Sequence, residues 1–272
     1  MALTQCRTDT GINRNDSTTK KSLYLGQIPP DLTPKRFAPG VIATDTYLET
    51  EVLFSPDMKE LSFTRSGGQY KEPIWMVMEY KSGTWSPKSI LQSEISEYRE
   101  RFSPNVSEIK KFDRFKDIPI EGFTKSSRGT YYFYVLNYND GHGHMSYSRL
   151  VDGIYERPKK MSEAINQGKY IAHPFIAPDE SYLLWDAEKD NRNTPDIYIS
   201  FRQKDGSWGK AIKFGEQINT SGYEQRAKVT PDGKYLFFWR GDRKMKEDGS
   251  IQWEGNPYWV DAKIIETLRP KQ

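Results

Sequence analysis

The sequence predicts an all-β chain: a small propeller of four-stranded antiparallel blades, about five in number with the second degenerate, closed by an N-terminal strand. Three observations predict it. A hairpin motif recurs along the chain, a second glycine-turn hairpin follows it, and matched internal spacings separate the copies. Repeats of this kind outrank local propensity as evidence for architecture.

The first hairpin motif is clearest at Val229-Thr-Pro-Asp-Gly-Lys-Tyr-Leu-Phe-Phe238. Phe54-Ser-Pro-Asp-Met-Lys-Glu-Leu-Ser-Phe63 and Ile176-Ala-Pro-Asp-Glu-Ser-Tyr-Leu-Leu-Trp185 repeat it. Phe102-Ser-Pro-Asn begins another copy and drifts, and Thr124 to Phe133 keeps the spacing without the Pro-Asp. In each copy an apolar strand arrives, proline pre-sets φ, aspartate closes the turn through its side chain, and an aromatic-rich strand leaves. The second hairpin is read at Trp75–Trp85, Met145–Tyr155 and Ile197–Trp208, two of them turning at Asp-Gly. Asp152 precedes Asn166 by 14 residues and Asp205 precedes Asn219 by 14, each asparagine ending a Glu-x-Ile-Asn run. Two hairpins make one four-stranded blade.

Blade lengths follow from the aligned turns. Pro56 to Pro104 is 48 residues, Ser126, taken as the proline's equivalent, to Pro178 is 52, and Pro178 to Pro231 is 53. Pro104 to Ser126 is only 22, too short for four strands, so the second blade is truncated or rebuilt around Lys110–Phe115. The last blade has Asn256–Asp261 as its third strand and Lys263–Leu268 as a terminal helix. Its fourth strand is expected from Ser22–Leu25, removing the open edge. Residues 1–21 read as a polar tether and 22–272 as one domain.

Composition limits function. The 272 residues carry 40 Lys+Arg against 37 Asp+Glu, a balance that gives no electrostatic case for nucleic acid. Aromatics at 14% supply core volume in a chain with only 36% hydrophobic residues. No run of about 18 apolar residues is present, so no transmembrane segment is expected. The single cysteine, Cys6, excludes an intrachain disulfide.

These repeats resemble the PD40, or WD40-like TolB-type, propeller family, over roughly Tyr24 to Leu268. The likeness extends to Leu25-Gly-Gln-Ile-Pro-Pro30, Phe37-Ala-Pro-Gly40 and Tyr258-Trp-Val-Asp-Ala-Lys-Ile-Ile265. It implies a bacterial envelope protein, periplasmic or extracellular. Cys6 ahead of a polar tether resembles the acylated cysteine of bacterial lipoproteins; Leu3 fits that pattern and Gln5 does not. The other reading is an incidental cysteine in a polar tail.

Propellers bind at the channel lined by their innermost strands. Three residues before the aligned apolar position stand Glu51, Arg99, His173 and Arg226, and these, with Arg240, are the expected lining. Two arginines, a histidine and a glutamate favour a small anionic or carbohydrate ligand, or a protein at the rim. No cofactor is expected. The alternative is a divalent metal: Zn or Mn on His142, His144 and His173, or Ca on the acidic run Asp186 to Asp196. With no Gly-x-Ser-x-Gly or phosphate-loop pattern, the leading reading is a non-catalytic binding or scaffolding propeller. The competing one is a metal-assisted lyase or hydrolase acting on an anionic saccharide, which needs the three histidines to converge.

Overall fold

The computed structural model describes residues 23–137, 139–189 and 194–271. Among them, four four-stranded antiparallel sheets are arranged as a propeller. The first blade is Leu48–Phe54, Glu60–Gly67, Tyr70–Lys81 and Thr84–Lys88. The second is Ile120–Lys125, Tyr131–Asn137, His142–Ser148 and Lys159–Lys160. The third is Lys169–Ile176, Tyr182–Glu188, Asp196–Phe201 and Ile212–Lys213. The fourth is Tyr223–Val229, Tyr235–Met245 and Ile251–Asp261, completed by Lys35–Arg36.

The turn motif does what its residues predict. Ser55 and Thr230 donate their backbone N–H to the carbonyls of Glu60 and Tyr235, both at 2.9 Å. Their hydroxyls donate to Asp57 and Asp232, both at 2.7 Å. In the second blade the equivalent N–H···O bond runs from Ser126 to Thr130 at 3.0 Å. Ser126 therefore occupies the place of Ser55, one position earlier than the proline alignment assigned it. The repeated Ile-Asn pair is also structural. Asn219 accepts from the N–H of Ile197 at 2.8 Å and donates to the carbonyls of Ile197 and Phe214. Asn166 does the same to Met145 and Met161. One amide thus ties the third strand of a blade to the segment leading out of it.

Strand alternation sends consecutive side chains to opposite neighbours. Leu183 and Trp185 pack toward the second blade, while Leu184 packs toward the fourth. Tyr235 and Phe237 face the first blade, and Leu236 and Phe238 face the third. The core is therefore a set of inter-blade seams rather than one central mass.

Two expectations are corrected. The degenerate repeat at Phe102 is not a blade, so four sheets replace the five repeat starts. Its residues form two short helices, α1 (Ile95–Glu100) and α2 (Val106–Lys110), and a 3-10 turn at Asp113–Phe115. Asn105 caps α2 by accepting from the N–H of Ser107 at 2.9 Å; the turn aspartates Asp57, Asp179 and Asp232 accept the equivalent N–H, but there a strand follows instead of a helix. This insert lies between the first two blades. Trp75 holds Tyr98 and Phe102 on one side, and Phe115 meets Tyr131, Phe133 and Tyr155 on the other.

The closing strand is also relocated. Ser22 lies outside the described residues, and Leu23 to Gly26 form a turn, with successive positive φ at Leu25 (52°) and Gly26 (70°), in place of the expected strand. Lys35 and Arg36 pair with Trp259 and Tyr258 instead. Tyr24 and Phe37 fill the seam they close. Tyr24 contacts Phe54, Tyr235 and Trp259 and donates its hydroxyl to Asp232 at 2.7 Å. The terminal helix is found at Ile264–Thr267.

Replacing Asn219 or Asn166 by alanine removes three hydrogen bonds to buried backbone; the carbonyls of Ile197 and Met145 keep the N–H of Phe214 and Met161, but the other two groups lose this partner. Each substitution is expected to lower stability by roughly 2–4 kcal/mol in urea denaturation, whereas alanine at the exposed Glu163, in the same run, changes it little.

Candidate functional site

The innermost strand of every blade carries a β-bulge, an extra residue relative to its partner, and the third blade has a second one between Lys169 and Ala172. The register shifts between Thr50 and Leu53, Ile120 and Gly122, Ala172 and Phe175, and Gln225 and Lys228. Bulges re-aim side chains. Counted back four places from the turn residues Ser55, Ser126, Ala177 and Thr230, the bulge positions are Glu51, Gly122, His173 and Arg226.

Three of these are non-glycine residues in the left-handed region: Glu51 at φ 57°, His173 at 49° and Arg226 at 59°. Such a conformation costs of order 1–3 kcal/mol per residue and is kept where surrounding structure over-determines it. Here that structure is a polar chain crossing the channel. The Arg226 guanidinium pairs with the Glu51 carboxylate, joining the fourth and first blades. Its backbone N–H donates to Asp186 of the third blade at 3.0 Å. Asp186, almost fully buried, also holds Nδ1 of His173 at 2.9 and 3.0 Å from its two oxygens. The ring of Tyr134, from the second blade, lies 5.6 Å from the His173 ring. At the fourth position, a Cβ on Gly122 would stand 2.8 Å from that tyrosine ring, so glycine makes room for it.

Glu51, Gly122, Tyr134, His173 and Arg226 line a cavity of about 180 Å³ on the axis, together with Leu53, Glu121, Pro174, Lys228 and Phe237. Ser103 and Pro104 of the insert form part of its wall. Burial pushes the Glu51 carboxyl up, but Arg226, Lys228, His173 and Arg99 together hold it below its ordinary value. Lys228 is shifted down, by burial first, with Arg226 adding to it and Glu51 opposing it.

Of the expected lining, Glu51, His173 and Arg226 converge on this cavity. Arg99 stands on α1, packed over the Trp75 ring, and lines a neighbouring cavity that Glu51 also reaches. Arg240 is elsewhere. It donates to buried Glu224 at 3.1 Å and to the carbonyls of Gln217 and Ile218, a structural clasp that Arg65 and Glu49 repeat in the first blade.

Among the described residues, no three His, Cys, Asp or Glu side chains gather as a metal would require. His142 and His144 sit on the third strand of the second blade, whereas His173 sits at the bulge of the next blade's innermost strand with Nδ1 on Asp186. Of the acidic run, Asp186 serves the channel and Asp196 holds Lys213 at 2.6 Å, while residues 190–193 lie outside the described residues. Cys6 and the rest of the tether also lie outside them.

Sequence reasoning missed Tyr134, Glu121 and Lys228. Lys228 was within reach, since it stands two residues after Arg226 and alternation returns it to the same face. Tyr134 carried no signal, because its exposure to the channel depends on the missing Cβ of Gly122.

No family model and no curated protein matches the chain. Solved structures similar to it include a prolyl endopeptidase, 13% identical over 78% of this chain and 30% of that one, with a TM-score of 0.33. A hypothetical selenium-binding protein from Sulfolobus tokodaii is 10% identical over 82% and 60%, TM-score 0.32. A subtype N11 neuraminidase-like protein from A/flat-faced bat/Peru (H18N11) is 8% identical over 86% and 95%, TM-score 0.36. The chain thus spans less than two thirds of the first two, and similarity at this level carries no chemistry across.

The left-handed backbone is testable apart from the side chain. His173→Gly is expected to be more stable than His173→Ala by about 1 kcal/mol in chemical denaturation, since glycine alone enters this region freely.

Proposed function

We propose that this chain is a non-catalytic binding or scaffolding propeller of the bacterial envelope, with its ligand in the central channel at Glu51, His173 and Arg226. The observation that carries the reading is the set of three charged or polar residues in left-handed conformation at one level of the axis. Strained residues cluster where a fold presents groups to a ligand, and a concave site with a few convergent polar groups is the default binding site of a fold. The envelope location rests on the PD40-type repeat motifs, and anchorage through Cys6 rests on the polar tether behind it.

The polar chain favours binding over hydrolysis. His173 faces Asp186 as a general base would face its orienting acid, but among the described residues no hydroxyl or thiol is hydrogen-bonded to its ring. A nucleophile–base pair is the geometric minimum for covalent catalysis. That His142, His144 and His173 form no metal-holding group among the described residues also supports binding over a metal-assisted lyase.

The test is a titration followed by NMR, with uronate oligosaccharides, neutral oligosaccharides and small organic acids. At least one class is expected to perturb the channel residues, and Arg226→Ala to weaken it at least tenfold. Uronate oligosaccharides should be recovered uncleaved and the purified protein should hold no stoichiometric Zn or Mn. Affinity unchanged in Arg226→Ala would refute the channel site. A stoichiometric metal lost in His173→Ala would overturn the non-catalytic assignment.

A further inference from the structure

One level along the axis from the bulges, two residues before each turn, the four innermost strands contribute Leu53, Thr124, Phe175 and Lys228. All four line one continuous cavity with Pro174, Phe237 and the insert residues Ser103 and Pro104. Leu53, Pro174, Phe237 and Lys228 also line the cavity of the bulge level. Lys228 therefore stands at the waist between the two halves of the channel.

Its surroundings are unusual for a lysine. Three blades place an aliphatic, an aromatic and a threonine at this level, and only the fourth places a cation. Among the described residues the Lys228 ammonium makes no hydrogen bond and no ion pair. The other basic groups near the axis are occupied. Arg226 is paired to Glu51, the His173 ring is hydrogen-bonded to Asp186, Lys125 lies over Tyr131 and 3.6 Å from Glu108, and Arg99 lies over Trp75. The Glu51 field does reach Lys228, but Arg226 opposes it. An ammonium held in apolar surroundings without a partner is costly unless a counter-charge reaches it.

We infer that the waist of the channel is a site for a small organic carboxylate, with the Lys228 ammonium as its anchor and the apolar ring around its body. This rests on the channel-binding reading and narrows its ligand class. A single ammonium matches one carboxylate. A phosphate dianion takes several donors at once, and the other lysine lining this level, Lys125, is already engaged, 3.6 Å from Glu108 and over the Tyr131 ring. The apolar wall of Leu53, Phe175, Pro174 and Phe237 suits a hydrocarbon or aromatic body rather than a polyhydroxylated one.

The experiment uses the full chain with benzoate as probe, benzamide as its neutral counterpart and inorganic phosphate as the competing anion, by calorimetry and NMR. Benzoate is expected to bind at least tenfold more tightly than benzamide, with shifts at Leu53, Phe175 and Phe237, and phosphate to bind no better than benzamide. Lys228→Met, which puts an unbranched apolar chain into the ring, should fold and lose at least tenfold in benzoate affinity. If that variant does not fold, the benzoate-to-benzamide ratio in the unaltered protein decides alone. Equal binding of the two, no binding of benzoate, or an unchanged affinity in Lys228→Met overturns the assignment. If a neutral saccharide then binds in an Arg226-dependent way, only the carboxylate falls and the channel stands. If Arg226→Ala also leaves every ligand unaffected, both fall.

Discussion

The molecule depends on the closing of its ring between the fourth and first sheets. Each sheet buries its faces only against its neighbours, so an unclosed ring would expose two apolar faces and a strand edge. Lys35 and Arg36 complete the fourth sheet, and the aromatic rings of Tyr24, Phe37, Phe54, Tyr235, Phe237 and Trp259 fill the seam. Pairs at these separations and angles add about 0.5–1.5 kcal/mol each beyond their buried area. The hydroxyl of Tyr24 reaches Asp232, so the turn aspartate of the last repeat also fastens the first aromatic of the chain.

Closure at that seam leaves the junction on the other side of the first blade to be filled in another way. Between the first two blades the chain places helices instead of strands, and the helical insert is held by aromatic contacts on both flanks. Glu60 adds a polar clasp on the first-blade side, receiving Lys88 and Tyr98, with Arg101 at 3.0 Å. The consequence reaches the axis. Because Ser103 and Pro104 sit against the innermost strands, they narrow the channel and form wall for both of its halves. A full blade would have presented a strand there, with a bulge residue of its own.

The channel itself is organised in levels. At the bulges, polar groups from three blades join in one chain, Glu51 to Arg226 to Asp186 to His173, with Tyr134 of the second blade against its end. One level on, the walls are apolar apart from Lys228 and Thr124. Two residues before the bulges the blades use the same sequence positions differently. The Glu49–Arg65 and Glu224–Arg240 clasps stand where the third and second blades have Ile171 with Ala187 and Ile120 with Val135. Equivalent backbone thus accepts an ion pair in two blades and an apolar pair in two.

Much of this was legible in the residues. The Pro-Asp turns, the Asp-Gly hairpins and the paired asparagines are local, and local geometry is what short motifs encode. Spacing from those turns was enough to find Glu51, His173 and Arg226. It was not enough to exclude Arg99, because Phe102-Ser-Pro-Asn imitates the motif until Asn105 caps a helix. It also could not exclude Arg240, whose partner Glu224 is met across two strands. The histidines failed for the same reason: nearness along the chain between His144 and His173 spans two blades.

The sequence by itself determined the repeat, its hairpins and the strand alternation, because each of these rests on contacts within a few residues. Only the tertiary structure decided how many sheets close the ring, which N-terminal segment closes it and which side chains meet on the axis. Those outcomes depend on packing between segments tens to hundreds of residues apart, as between Glu51 and Arg226 or Tyr24 and Asp232, and no local pattern records such a distance.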